Sequence, residues 1–197
     1  CCSSPVIRTG LVDKAKVIVE KNVSVFEESG INKVITTCSG CGMTIKKNWP
    51  EILGRELKFK TMDITEYLNS IQFNRSDLKP LAVKVTYHDP CHLLYGQRID
   101  ADLPRKFIKN VPKVKLIEMQ REQCCGGGGG LRSGRRDLAD ILATRRVEDA
   151  IKTGADAAIS VCPFCETSIR DAIPNVNAKK RFEVLSLMEL LDRSYSS

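Results

Sequence analysis

The chain has 197 residues, 42% of them hydrophobic and 28% charged, with a net charge of +7. This balance excludes a collagen-like or disordered chain, and the length suits one large domain or two small ones. No apolar run approaches the roughly 18–20 residues of a membrane span, no basic and then apolar start announces a signal peptide, and the basic surplus favours anionic partners without naming one.

In chain order, Ala15, Val19, Val23 and Phe26 recur at helical spacing, and the helix they predict ends at Gly30, where a C-terminal glycine is expected. Residues 34–37 follow as a short β-branched strand that runs straight into Cys38-Ser39-Gly40-Cys41. Lys46 and Lys47 read as a solvated helix face, Trp49 as helix-end or core packing, residues 57–61 as a strand and the polar stretch 73–80 as a linker. The strand 83–87 leads into His88-Asp89-Pro90-Cys91-His92, and the strand 114–118 precedes Cys124-Cys125 and five glycines, 126–130. Ala139, Ala143, Val147, Ala150 and Ile151 predict another helix, closed by Gly154. The strand 157–161 feeds Cys162-Pro163-Phe164-Cys165, with Pro163 suited to a first helical turn. Lys179, Lys180 and Arg181 read as a charged turn before a last strand, 182–185.

The chain repeats itself. Displaced by 124 residues, segment 30–41 falls on 154–165, which superposes the two Cys-x-x-Cys pairs, and Cys1-Cys2 falls on Cys124-Cys125 at an offset of 123. A duplicated unit explains this. Strand–helix alternation then predicts an α/β fold of two tandem, pseudo-symmetric, Rossmann-like units with mostly parallel sheets, residues 1–75 and 76–197. The counterpart of Cys91 would precede residue 1, so the first repeat is expected to be truncated at its N-terminus, the chain being the C-terminal part of a longer subunit.

Nine cysteines, an odd number, all lie within these repeat motifs. Clustered cysteines without a secretory signal point to metal or redox chemistry rather than to a disulfide scaffold. Loops at the carboxyl ends of strands in an open α/β sheet converge on one edge, so Cys91, Cys124, Cys125, Cys162 and Cys165 are expected to meet there. Gly126 and Gly127 let the backbone approach a bulky inorganic group and offer N–H donors to its sulfides. Five thiolates exceed the four of a structural zinc site and favour an iron–sulfur cluster; the bland alternative is a tight loop with buried thiols.

His88-Asp89-Pro90-Cys91-His92-Leu93, the Cys124-Cys125-Gly126 run and Cys162-Pro163-Phe164-Cys165 together resemble the CCG-type cysteine-rich domain family, over essentially the whole chain. That family includes the catalytic subunit of heterodisulfide reductase, iron–sulfur subunits of lactate, glycolate and glycerol-3-phosphate oxidation, and a membrane-complex subunit of sulfate reducers. The resemblance implies a non-cubane [4Fe-4S] cluster at the second motif, ligated by Cys91, Cys124, Cys125, Cys162 and Cys165. The first motif departs from the pattern, with Ser3 where glycine is usual. Its Cys1, Cys2, Cys38 and Cys41 are left with a second [4Fe-4S] cluster or zinc. Five ligands against four predicts that the second site assembles on its own.

His92 is expected as a hydrogen-bond partner of cluster sulfur or as a proton donor to a product thiolate, with His88 the lesser candidate. Arg132, Arg135 and Arg136 follow the glycine loop and are candidates to read an anionic substrate, against the alternative of a solvated helix start. The function expected is reduction of a disulfide or heterodisulfide to thiols within a larger electron-transfer complex. By resemblance, the electron donor is an iron–sulfur or membrane cytochrome b-type subunit, and the place is the cytoplasm, on the inner face of the membrane through that partner. The leading rival is an electron-relay subunit of a quinone-linked dehydrogenase. A zinc-bearing nucleic-acid binder is disfavoured by scattered basic residues and 6% aromatics, and a thioredoxin-like Cys162-x-x-Cys165 leaves Cys91, Cys124 and Cys125 unexplained.

Overall fold

A computed structural model describes residues 1–73, 75–176 and 181–196. In chain order the elements are α1 (Ser4–Arg8), α2 (Val12–Glu28), β1 (Lys33–Thr36), α3 (Ser39–Met43), α4 (Trp49–Leu53), β2 (Lys60–Asp63) and α5 (Ile64–Ser70). There follow β3 (Lys84–Tyr87), α6 (Asp102–Asn110), β4 (Lys115–Leu116), α7 (Leu131–Gly134), α8 (Arg136–Lys152), β5 (Ala157–Ser160), α9 (Pro163–Ala172), β6 (Glu183–Ser186) and α10 (Leu187–Ser196). A π-helical turn, Thr44–Asn48, joins α3 to α4, and another spans His92–Gln97.

All strand pairs are parallel. β1 pairs with β2, and the second sheet runs β4-β3-β5-β6. The repeat seen in the sequence is a structural repeat: α2 and β1, displaced by 124, coincide with α8 and β5, and β2 displaced by 123 coincides with β6. Lys33 pairs with Lys60 in one copy as Ala157 pairs with Glu183 in the other. The fold is α/β with parallel sheets, as the alternation predicts.

Burial follows the predicted faces. Ala15, Val19 and Val23 of α2 and Ala139, Ala143, Val147 and Ala150 of α8 are buried. Val85, Tyr87, Ile159, Leu185, Phe107 and Leu190 build the core around the larger sheet, and Val19, Val23, Trp49 and Phe59 that of the smaller. Each such aliphatic side chain withdrawn from water contributes about 1.5–3 kcal/mol. Gly30 and Gly154 end α2 and α8 at φ 67° and 73°, the left-handed geometry a side chain resists.

Some expectations need adjusting. The strand placed at 57–61 begins at Lys60, whose N–H meets the Asn32 carbonyl at 2.9 Å, and runs to Asp63, which caps α5. The strand at 114–118 shrinks to two residues, Lys115–Leu116, and Lys113 ahead of it adopts φ 64°. The stretch 73–80 is strapped down: Phe73 packs edge-on against Phe107, Leu78 is buried, and Lys79 exchanges two hydrogen bonds with Ser194. Asn74 within it lies outside the described residues. Lys46 is not merely solvated but pairs with Glu66 at 2.5 Å. Arg181 is paired with Glu183, and Lys179 and Lys180 lie outside the described residues. No helix among the described residues is long and apolar enough to cross a membrane.

Candidate metal centre

The cysteines leave the carboxyl ends of parallel strands. Cys38 and Cys162 are the N-cap residues of α3 and α9, directly after β1 and β5. Cys91 follows β3 by way of His88, Asp89 and Pro90, and Cys124-Cys125 follow β4 through a short loop. A thiol at a helix N-terminus meets free N–H groups and the positive end of the helix dipole. The Cys41 N–H accordingly reaches Cys38 Sγ at 3.4 Å. In the glycine loop, Gly126 N–H points at Cys124 Sγ at 3.3 Å and Gly127 N–H at Cys125 Sγ at 3.4 Å.

Eight thiols lie near enough to shift one another's ionisation, in the order Cys2, Cys41, Cys38, Cys162, Cys165, Cys125, Cys124, Cys91. All five second-motif cysteines are in the row, together with Cys2, Cys38 and Cys41 of the first. Cys1, exposed, lines the cavity beside Cys2 instead. The two motifs are therefore not separate: Cys38 and Cys162 shift each other's ionisation, and Ser39 Oγ donates to the Val161 carbonyl at 3.0 Å across the same boundary.

Charge is shared along this row. Cys2 is held below its ordinary value by the Cys41 thiol, Cys124 by Cys125 and Cys91, and Cys162 by Cys165 and Cys38. Cys38, Cys41, Cys91, Cys125 and Cys165 are pushed up, first by a neighbouring cysteine and then by burial.

This donor set fits a thiolate-bound iron–sulfur group. The sulfurs are soft ligands, all are free rather than paired as disulfides, and backbone amides already face three of them. The glycine loop is tight enough to need glycine: a Cβ on Gly127 would lie 2.6 Å from the Phe164 carbonyl oxygen, and one on Gly126, at φ 71°, 2.8 Å from that of Ala139.

His88 and His92 have different places. His92 is half-buried between the two motifs, where Cβ atoms on Gly40 and Gly128 would approach its ring at 3.4 and 3.1 Å. It lines a cavity of about 630 Å³ with Cys1, Cys2, Cys41, Arg132 and the glycine loop. His88 is buried, and one of its ring nitrogens lies within 4.8 Å of both Cys125 and Cys165 Sγ. Burial, and then the Arg146 charge, lower His88 from 6.5 to about 3.

Of the candidate arginines, Arg132 lines the cavity while paired with Asp171. Arg135 and Arg136 are exposed, paired with Asp137 and Asp140, and do not line it. Sequence reasoning missed Arg146 and Arg105. Arg146 sits on the buried face of α8, with Ala139, Ala143 and Ala150 at helical spacing, which was the available signal. Arg105 grips both oxygens of Asp89 at 2.7 and 2.6 Å, holds Glu118 and lies over the Tyr87 ring, and so anchors the loop that carries Cys91. A second cavity, of about 490 Å³, reaches Cys91 and Cys124 past Arg105 and Tyr87.

Comparison with known proteins places the chain in a family. Similar proteins include an uncharacterized iron–sulfur protein of Methanococcus maripaludis, 42% identical over 98% of this chain and 38% of that one. One subunit of the fumarate reductase (CoM/CoB) of Methanothermobacter marburgensis is 41% identical over 100% and 39%. One subunit of the dihydromethanophenazine:CoB–CoM heterodisulfide reductase of Methanosarcina barkeri is 40% identical over 87% and 44%. The chain spans about two fifths of the length of these relatives. The CCG cysteine-rich domain matches residues 1–46 and 85–170, the two stretches that carry all nine cysteines, and the chain belongs to that cysteine-rich domain family.

Proposed function

We propose that this chain is the iron–sulfur part of an oxidoreductase complex that reduces a disulfide or heterodisulfide to two thiols. In this reading Cys91, Cys124, Cys125, Cys162 and Cys165 hold a non-cubane [4Fe-4S] cluster. Cys1, Cys2, Cys38 and Cys41 hold a second metal group, and the nearness of Cys38 to Cys162 favours a second cluster over a structural zinc, since electron passage needs such proximity. The row of eight neighbouring thiols, which reaches a cavity at its Cys2 and Cys41 end, carries the proposal. The relatives that are subunits of a heterodisulfide reductase and of a fumarate reductase (CoM/CoB) support it.

When bound, such a cluster supplies electrons singly and iron open to sulfur. Cleavage of RS–SR′ consumes two electrons and two protons and releases RSH and R′SH. The electrons come from a partner of iron–sulfur or cytochrome b type. The residues of this chain do the rest. The 630 Å³ cavity admits the disulfide beside the glycine loop, whose lack of side chains leaves the approach open. His92, on the cavity wall, holds a proton for a departing thiolate. Arg132 offers its guanidinium to an anionic substituent in exchange for Asp171.

Protein prepared without oxygen should be brown and contain iron and acid-labile sulfide. In the assembled complex, Arg132→Ala should raise KM for an anionic disulfide by about tenfold, equivalent to roughly 1.4 kcal/mol, while Arg135→Ala leaves it unchanged. Colourless protein with zinc alone overturns the cluster. A complex that passes electrons between partners but reduces no disulfide would establish the relay function instead.

A further inference from the structure

The row of cysteines has two ends, and a different cavity lies at each. Cys1, Cys2 and Cys41 line the cavity of about 630 Å³, with His92, Arg132 and the glycine loop. Cys91 and Cys124, at the opposite end, line the one of about 490 Å³. Among the described residues, none lines both. Cys124 is exposed and Cys91 half-buried, so no layer of protein separates that end of the row from a visitor in the second cavity.

The second cavity has the make-up of a protein interface. Tyr95 stands 70% exposed on its edge, its hydroxyl donating to Glu122 at 3.3 Å. Leu94 and Met119 are half-buried in its wall. Aromatic residues, methionine and arginine are the types enriched at the centre of interfaces, inside a polar rim. Asp102, Lys109, Arg121 and Glu122, all exposed, supply a rim of both signs. Such a rim fixes a partner's orientation and speeds its arrival more than it adds affinity.

Occupancy distinguishes the two ends. With a disulfide in the larger cavity, a donor seated at the same mouth would compete with it, whereas a donor at the far end would not. We infer that the cavity at Cys91 and Cys124 is where the electron-donating protein partner docks, with Tyr95 in the contact, while the disulfide enters at the Cys2 and Cys41 end. This rests on the disulfide-reductase reading above and adds to it the place where electrons enter. Two single-electron transfers oxidise the partner's redox centre and, with two protons, reduce RS–SR′ to RSH and R′SH.

Two experiments test this. The first needs no turnover: hydroxyl-radical footprinting of the full chain, alone and in its complex with the donor subunit. Tyr95 should lose most of its labelling in the complex, whereas Phe164, 52% exposed beside the larger cavity, should keep its own. The second compares two electron sources for disulfide reduction. With limiting donor subunit, Tyr95→Ala and Arg121→Glu should each slow the reaction about tenfold. With dithionite, which needs no docking, both should match the wild type. Arg132→Ala should instead raise KM for the disulfide with either source. Tyr95 left reactive in the complex overturns the inference, as do both variants running at the wild-type rate with the donor subunit, or slowing equally with dithionite. If dithionite drives no disulfide reduction in the wild-type protein, the disulfide reading fails, while the footprint at Tyr95 still decides where the partner docks.

Discussion

Arg105 shows how one side chain can hold a ligand loop. Its guanidinium is forked onto Asp89, two residues before Cys91, with both side chains little exposed (14% and 12%). Removing one member of a mostly buried pair leaves the other charge uncompensated, which typically costs about 3–5 kcal/mol. Arg105→Ala should therefore lower the denaturation free energy by about 3 kcal/mol in urea unfolding, and reaction of Cys91 with a thiol reagent in the metal-free chain should accelerate. Unchanged stability would mean that the fork contributes little beyond its desolvation. Asp89 is held by this partner from α6, which local sequence could not name.

At the scale of elements, the glycine loop and the α5 cap make opposite demands. Gly127 has no room for a methyl group because the obstacle is the Phe164 backbone, which cannot rotate aside as a side chain can. Gly127→Ala should destabilise the fold by about 1–3 kcal/mol and reduce cluster content. Gly134→Ala, where nothing lies within 4 Å, should change neither in a thermal melt and iron assay. The cap residue Asp63 accepts from the Thr65 N–H at 3.0 Å and its Oγ1–H at 2.6 Å, but Oδ2 is buried without a partner. Burial lifts its carboxyl above the ordinary 3.8. The unfolded chain thus releases this proton at a lower pH than the folded one. The associated stability is complete below 3.8 and is lost as the pH rises through the folded value. Asp63→Asn should remove that slope when urea midpoints of the two proteins are compared across this range. Parallel slopes would show that Asp63 does not titrate differently in the two states.

For the molecule as a whole, the consequential fact is that the two repeats meet at their cysteines. A count of five ligands against four suggested a second site indifferent to the first. The nearness of Cys38 to Cys162, with Ser39 bound to Val161 and Gln97 Nε2 donating to the Ser39 carbonyl at 3.0 Å, argues otherwise. Cys38→Ser should perturb the visible spectrum of the second-motif cluster as well as that of the first, because serine removes a soft sulfur from beside Cys162. A spectrum lacking only a first-site component would restore their independence.

The sequence by itself determined the α/β class, the duplicated plan, the buried stripes of α2 and α8 and the placement of cysteines after strands. These follow from periodicity, turn-forming glycines and spacing, which are local properties of the chain. It also marked the Cys124-Cys125 loop as a place where amides would face sulfur. Only the tertiary structure decided that the two motifs form one continuous row, that Arg132 and not Arg135 reaches the cavity, and that His88 rather than His92 lies against Cys125 and Cys165. Those outcomes depend on which side chains from distant segments share a buried volume. The difference between a solvated arginine and Arg146, on the same helix as Arg136, lies in which face meets the sheet and which meets water.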